Sequence, residues 1–507
     1  MTSFLYLVTF IGGVVSLALE LAAGRLLAPA FGTSELVWSS IIGMILLYFS
    51  IGYVIGGRWA DRSPHSETLY TILLIAGVTI AVIPFISQPA LSLAARGMAS
   101  LDAFQVGGPL VAVLILFIAP VTLLACVSPF VIRLAMTDVR AAGMTSGKIY
   151  AISTLGSFLG TFLPNLVLIP TFGTRRTFLL LALLTTVLGV AGLWRTARRR
   201  ALLGVLVALV ILALAFTKAG PIKPQARLIY EEESTYNYIQ VLESEQGTRF
   251  LLLNEGQGIH SVYNPQTLLT GGTWDFFLIA PYFNPPPHTA EQVGSLLVIG
   301  SAAGTIPKQY TALYGAIPID GVEIDPAIAR VGRDYFGMTE PNLHTAEMDG
   351  RAFLAQTTSR YDVVAVDAFR LPYIPWHLTT VEFFQEIRAL LTESGVVAIN
   401  AGHTPDDWRV VEALVATLKQ VYPSVHVISV PDTFNAIIIA TVQESTAEDF
   451  AANRQLLRDK ALVRVAERAA ANLITVGDDG MVFTDDRAPV ELLTDVLVLR
   501  YVLGGNP

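Results

Sequence analysis

Three carboxylates stand where a parallel sheet would bring them to one edge: Glu323 ending the run IDGVE, Asp349 in MDG, and Asp367 ending VAVD. Ligands of such sheets sit at the carboxyl ends of the strands. Ahead of Glu323, the apolar run LLVI ends in a small-residue turn, Gly300, Ser301, Ala302, Ala303 and Gly304. Such a turn lets backbone N–H groups approach a nucleoside, while an acid at the tip of the next strand takes a ribose hydroxyl pair. The turn is looser than a glycine-rich fingerprint, and small residues there also serve packing alone. One acid in a loop is ordinarily a solvated one. Three acids after separate strands or loops of one sheet point to a site.

The elements that must position these acids follow from pattern. Strand signals at Leu296–Gly300, Ile319–Ile324, Tyr361–Asp367, Val396–Asn400, Val425–Val430 and Ala436–Thr441 alternate with helical periodicity. The alternation predicts an α/β doubly wound, Rossmann-like sheet. Before it, Tyr238–Leu242 and Arg249–Leu253 flank Gln246-Gly247 and read as a β-hairpin. Between them lies an aromatic cluster, Trp274, Phe276, Phe277, Tyr282 and Phe283. Core, membrane surface and pocket wall are its three readings, and core is favoured.

The first 216 residues are of another kind. The chain is 53% hydrophobic with mean hydropathy +0.56, too apolar for an ordinary soluble protein. Seven blocks approach bilayer length: Leu5–Ala23, Leu36–Gly57, Leu69–Ser87, Leu110–Phe130, Ile149–Ile169, Phe178–Trp194 and Ala201–Phe216. The last two are short. A multi-pass α-helical membrane domain over 1–220 is therefore expected, with the boundary at GPIKP, Gly220–Pro224, and a second domain over 221–507. Within that domain, 221–290 holds the β-hairpin region and 291–507 the Rossmann-like core and tail. The even loops carry nine Lys and Arg, the odd loops four, which puts the N-terminus in the cytoplasm. Seven spans would then place the second domain outside. Glu20 and Arg25 are ionisable groups within or at the end of the first span, candidates for function or for an internal ion pair. Gly56 and Gly57 in GGRWAD permit close helix packing.

The lone Cys126 excludes an intrachain disulfide and a cysteine metal cluster. His260, His288, His344 and His377 lack metal-ligand spacing, so no metal is expected. The net charge of -8 and the gathering of the first half's arginines at span edges argue against nucleic acid as a partner.

From Glu233 to Phe384 the chain resembles the polyamine aminopropyltransferases, the spermidine and spermine synthases, whose catalytic domain is methyltransferase-type. ESTYN matches the opening motif, with Asn237 where the family has an adenosyl-binding glutamine; VIGSAAGT matches the glycine turn through Gly300 and Gly304. GVEID carries the ribose-binding acid at Glu323, and MDGR the adenine-side pair Asp349 and Gly350. YDVVAVDAF places the proton acceptor at Asp367, and HLTTVEFF the following helix entry. The resemblance implies an integral-membrane transferase in polyamine biosynthesis. Its cosubstrate would be decarboxylated S-adenosylmethionine, its acceptor an amine, and it would hold no prosthetic group. An adenosyl cosubstrate is cytosolic, which conflicts with the orientation the charges give for seven spans and leaves the side of an inner, plasma membrane open.

The departures lie on the acceptor side. The family binds its diamine through acids where this chain has Ala303 and Arg370, and TWDFF replaces a tyrosine-histidine-glutamate motif, leaving Asp275 as the only acid there. An arginine repels a polyamine and suits a carboxylate or phosphate. Two alternatives therefore stand: another S-adenosylmethionine-dependent transferase, such as a methyltransferase on an acidic or lipid-associated acceptor, and a non-catalytic nucleoside- or polyamine-binding membrane protein. The charged tail after Asp449, with FTDDRAPVE, is expected to pack on the sheet or on a second subunit of a homodimer.

Overall fold

The computed structural model describes residues 2–31, 35–98, 104–136, 138–217, 225–254, 258–369 and 373–503. It divides into two compact units, Met1–Pro224 with Glu233–Tyr238, and Gln225–Glu232 with Ile239–Pro507. The expected boundary, Gly220–Pro224, lies outside the described residues.

The first unit is helical: α1 (Thr2–Phe31), α2 (Glu35–Arg62), α3 (Ser66–Met98), α4 (Phe104–Ala125), α5 (Val127–Ala135), α6 (Ala142–Leu163), α7 (Ile169–Phe172), α8 (Thr174–Thr196) and α9 (Arg198–Phe216). Seven stretches among the described residues are long and apolar enough to cross a membrane, α4 running on into α5 and α6 into α7. The two blocks expected to be short are helices of 23 and 19 residues. Leu155, Phe158, Leu202 and Leu206 are more than half exposed, an outward apolar face that hydrocarbon suits and water does not. Glycine sets the helix spacing. A Cβ on Gly156 or Gly160 of α6 would lie 2.1 Å from Phe10 O or 2.3 Å from Val14 O of α1, a close approach that small residues allow. Of the pair in GGRWAD only Gly56 packs, 2.6 Å from Cys126 Cα by the same measure, whereas Gly57 faces open space. Arg25 donates to the carbonyls of Ser234 and Tyr236, and Glu20 is half-buried.

The second unit holds two sheets. β1 (Leu228–Glu233), β2 (Tyr238–Glu243), β3 (Arg249–Leu253) and β4 (Ile259–Tyr263) form the first, in that order. The expected hairpin is its central pair, with Ile239 opposite Leu253. β1 and β4 were not expected, being charged (LIYEEE) or short and mixed (IHSVY).

The second sheet is built from β5 (Leu296–Ile299), α10 (Thr305–Tyr314), β6 (Ile319–Glu323), α11 (Pro326–Tyr335), β7 (Leu343–Glu347), α12 (Gly350–Leu354), β8 (Tyr361–Val366), α13 (Val381–Leu390), β9 (Leu391–Gly402), α14 (Arg409–Leu418), β10 (Ser424–Ser429) and β11 (Asn435–Thr441). Helices α15 (Ala447–Arg454) and α16 (Lys460–Ala471), the short β12 (Leu473–Ile474) and α17 (Val490–Leu503) complete the chain. The strand order is β12-β10-β11-β9-β8-β5-β6-β7. Strands β9, β8, β5, β6 and β7 run parallel, and β11, β10 and β12 join antiparallel. Both faces are covered: Leu297, Ile299, Val364 and Val366 point into one core, Leu296, Val298, Val363 and Ala365 into the other. That second core is roofed by the aromatic stretch, where Phe276, Phe277, Tyr282 and Phe283 are fully buried. Edge strand β7, LHTAE, escapes sequence reading because no residue in it is buried.

Candidate active site

Three loops meet at the end of β5. Gly300 sits at φ +84°, where a Cβ would fall 2.6 Å from the Asp367 carbonyl, so only glycine fits. The Asp367 N–H donates to Ile299 O at 2.9 Å. Ala302, left-handed at φ +45°, turns its N–H onto Glu323 Oε2 at 3.0 Å. A Cβ on Gly350 would lie 2.4 Å from Ile299 Cγ2, so the loop of Asp349 leans on the same strand end. The segments that bear Glu323, Asp349 and Asp367 thus all abut the end of β5 or the turn that follows it.

Their surroundings differ. Glu323 is buried, and burial pushes its carboxyl up to about 7 against the lowering pull of N–H groups at Asp325, Ala302 and Ile324. Asp349 caps α12, its Oδ1 accepting from Arg351 N and Ala352 N at 2.9 and 3.0 Å, while Oδ2 lies 3.0 Å from His377 Nε2. Burial raises this carboxyl, but those hydrogen bonds and the His377 charge prevail and hold it below the usual carboxylate range. Burial pushes Asp367 up to about 7, while hydrogen bonds from Asn400 and Trp274 pull it down. Asn400 Nδ2 donates to Asp367 Oδ1 at 2.8 Å, and Asn435 Nδ2 donates to Asn400 Oδ1 at 2.9 Å. A carboxyl that titrates near neutrality can take and return a proton at working pH.

Other expected residues lie elsewhere. Asp275, proposed on the acceptor side, is fully buried and spends its oxygens on Thr270 N, Thr270 Oγ1, Gly271 N and Gln309 Nε2 at 2.7–2.9 Å. These hydrogen bonds organise the loop Thr270–Gly272. Asn237 is buried in the turn Glu233–Tyr238, which groups with the helical unit, and its N–H donates to Ser234 Oγ at 2.8 Å. Arg370 lies outside the described residues. Gly304, at φ +87°, is the turn residue before α10. His377, partly exposed, faces Asp349. Asn400, within β9 and paired with Ile437, Asn435 at the start of β11, and Trp274 are site neighbours that carry no charge signal in the sequence.

FTDDRAPVE also gains a place. Arg351 makes paired 2.7 Å hydrogen bonds to Asp485, binds Glu386 at 2.8 Å, and donates to His377 O at 3.4 Å. Asp485 Oδ1 also accepts from Thr380 Oγ1 at 2.7 Å, and its N–H donates to Glu382 at 3.0 Å. The tail turn therefore clamps both segments that bear Asp349 and His377.

A mixed sheet of this order, with a glycine turn and strand-tip acids, defines the second unit as a Rossmann-like, methyltransferase-type domain. Residues 285–453 match the spermine/spermidine synthase domain. The chain is 31% identical over 313 residues to a probable polyamine aminopropyl transferase of Bifidobacterium longum, covering 57% of this chain and 68% of that protein. It is 28% identical to a polyamine aminopropyltransferase of Vibrio vulnificus, covering 50% of this chain and 82% of that one. To an N-terminal histidine N-methyltransferase of Emericella nidulans it is 28% identical, over 50% of each chain. The chain belongs to the spermine/spermidine synthase family.

Proposed function

We propose that this protein, anchored in a membrane by its apolar helices, transfers an aminopropyl group from decarboxylated S-adenosylmethionine to an amine, with Asp367 as proton acceptor. Glu323 holds the ribose, Asp349 and Gly350 border the adenine, and the turn Gly300–Gly304 admits the nucleoside to the backbone. Asn237 belongs to the adenosyl side by its motif. The acceptor nitrogen is useless as an ammonium, whose pKa is about 10. As it attacks the carbon beside the sulfonium, the carbon–sulfur bond breaks. Its electron pair stays on sulfur, methylthioadenosine leaves, and the amine proton passes to Asp367. What carries this reading is the Asp367 carboxyl, tied to the end of β5 and held by Asn400, where burial pushes it up to about 7.

Methyl transfer from S-adenosylmethionine is the second reading. Ala303 stands where the family places a diamine-binding acid, and it is buried with Ile239, Val241 and Leu251. The similarity to a named N-methyltransferase favours it also.

The test uses the purified full chain. Calorimetry should detect methylthioadenosine binding, and Asp367→Asn should lower turnover by about 10²–10⁴-fold, the usual worth of a general base, while sparing that binding. Absence of binding by any adenosyl ligand sinks both readings. Product analysis with the two labelled donors separates them.

A further inference from the structure

The helical unit holds a small cavity of its own, about 100 Å³, among α1, α2, α5 and α6, with the last residues of α4 in its wall. Liquid water takes about 30 Å³ per molecule, so the space suits an ion with a few waters. It is too small for a nucleoside or a polyamine.

Its wall is polar inside an apolar bundle. Ser16 of α1, Ser128 of α5, and Ser153 and Ser157 of α6 line it. Elsewhere in the bundle such hydroxyls bond back to their own helix: those of Ser40, Ser50 and Thr185 donate to the carbonyl four residues earlier at 2.8–3.1 Å. Ser157 Oγ instead reaches across to Gly13 O of α1, at 3.4 Å. Among the described residues none bonds the hydroxyls of Ser16, Ser128 or Ser153, and all three residues are only partly buried. An unpaired hydroxyl in apolar surroundings is costly. Three on the wall of one space call for a guest that binds oxygen.

The break in the fourth span gives the sign of that guest's charge. Helix α4 ends at Ala125 and α5 begins at Val127, and Pro129 has no N–H with which to bond the Ala125 carbonyl. Ala125 is part of the cavity wall. A hydroxyl oxygen can donate or accept, but a carbonyl only accepts, and a helix C-terminus carries negative partial charge. Discontinuous membrane helices coordinate cations through such carbonyl ends. Divalent ions draw on carboxylates, whereas these oxygens are neutral and suit a single charge. Histidine and cysteine spacing is blind to a site of this kind.

We infer that Ser16, Ser128, Ser153 and the carbonyl end of α4 at Ala125 form a binding site for a small monovalent cation, sodium in size, within the helical bundle. The site is independent of the transferase reading. A cation held there ties α1 and α6 to the break between α4 and α5.

The full chain in detergent is titrated with radioactive sodium chloride, with choline chloride keeping the ionic strength constant. Binding should saturate, yield to unlabelled sodium and resist choline, and the melting temperature should rise over the same sodium range. Ser128→Ala and Ser153→Ala should each weaken sodium binding about tenfold or more, the usual worth of a bond to a charged group. Pro129→Ala gives the Ala125 carbonyl a helix partner, so it should weaken sodium binding without lowering the melting temperature in choline. That variant separates loss of the site from loss of the fold. Ser50→Ala, whose hydroxyl is already bound to Leu46 O, should leave binding unchanged. Sodium binding that fails to saturate or survives the Ser128, Ser153 and Pro129 changes overturns the inference, as does a melting shift that choline equals. The cavity would then hold water alone.

Discussion

The side-chain amide of Asn400 donates to Asp367 Oδ1 at 2.8 Å, and its orientation is set by Asn435, which donates to Asn400 Oδ1 at 2.9 Å. A hydrogen bond to the charged form lowers an acid's pKa. This pair therefore restrains the rise that burial imposes on Asp367.

Turnover should rise with pH through about 7 as Asp367 ionises. In Asn400→Leu that donor is gone and Trp274 alone opposes burial, so the rising limb should move to higher pH. A pH–kcat/KM profile of both proteins checks this. An unmoved limb would mean that another group sets it.

The same carboxyl makes a stability prediction. Its folded pKa, about 7, lies above the ordinary carboxylate value, so between about 4 and 7 the native state binds more protons than the unfolded chain. Stability from this group is fully present at the acid end and declines as pH rises through that window. Asp367→Asn mimics the protonated acid. It should stabilise the protein at pH 8 by on the order of 3 kcal/mol and have no advantage near pH 4. Thermal melts at the two pH values measure the difference.

Glu323→Gln keeps the volume and removes the charge that a ribose hydroxyl pair would bind. Charged hydrogen bonds are worth about 1.5–3 kcal/mol, so methylthioadenosine should bind roughly 10–100-fold more weakly, with kcat at saturating donor little changed. Calorimetry and saturation kinetics read the two effects separately.

Asp485→Asn removes the carboxylate that pairs with Arg351 at 2.7 Å on both oxygens. With that clamp loosened, the loops of Asp349 and His377 gain freedom. The KM for donor should rise severalfold while kcat and the pH limb assigned to Asp367 stay in place. A loss of kcat without a change in KM would contradict a role on the adenine side.

Much of this was legible in the chain because it rests on local pattern. Apolar runs with turn residues between them mark β5, β6 and β8, with Gly300, Glu323 and Asp367 at or just after their ends. Asn400 lies inside β9 and carries no charge that would mark it in the sequence. Trp274 falls in an aromatic cluster whose other members are core, and Asp275 is an acid whose sequence context suits substrate binding equally well. Nothing local distinguishes a carboxylate that binds a ligand from one that accepts four hydrogen bonds from its own loop and a neighbouring helix.

The order of residues alone determined the apolar helices, the parallel strands β5, β6 and β8, and the acids Glu323 and Asp367 at or just after two of their ends, since each depends on periodicity within a short window. Only the tertiary fold decided which polar groups those acids meet. Asn400 and Asn435, or Arg351 and Asp485, are partners brought together across 35 and 134 positions of chain. Such meetings follow from strand order and loop docking, and these are set by how two buried sheet faces pack, not by any neighbour in sequence.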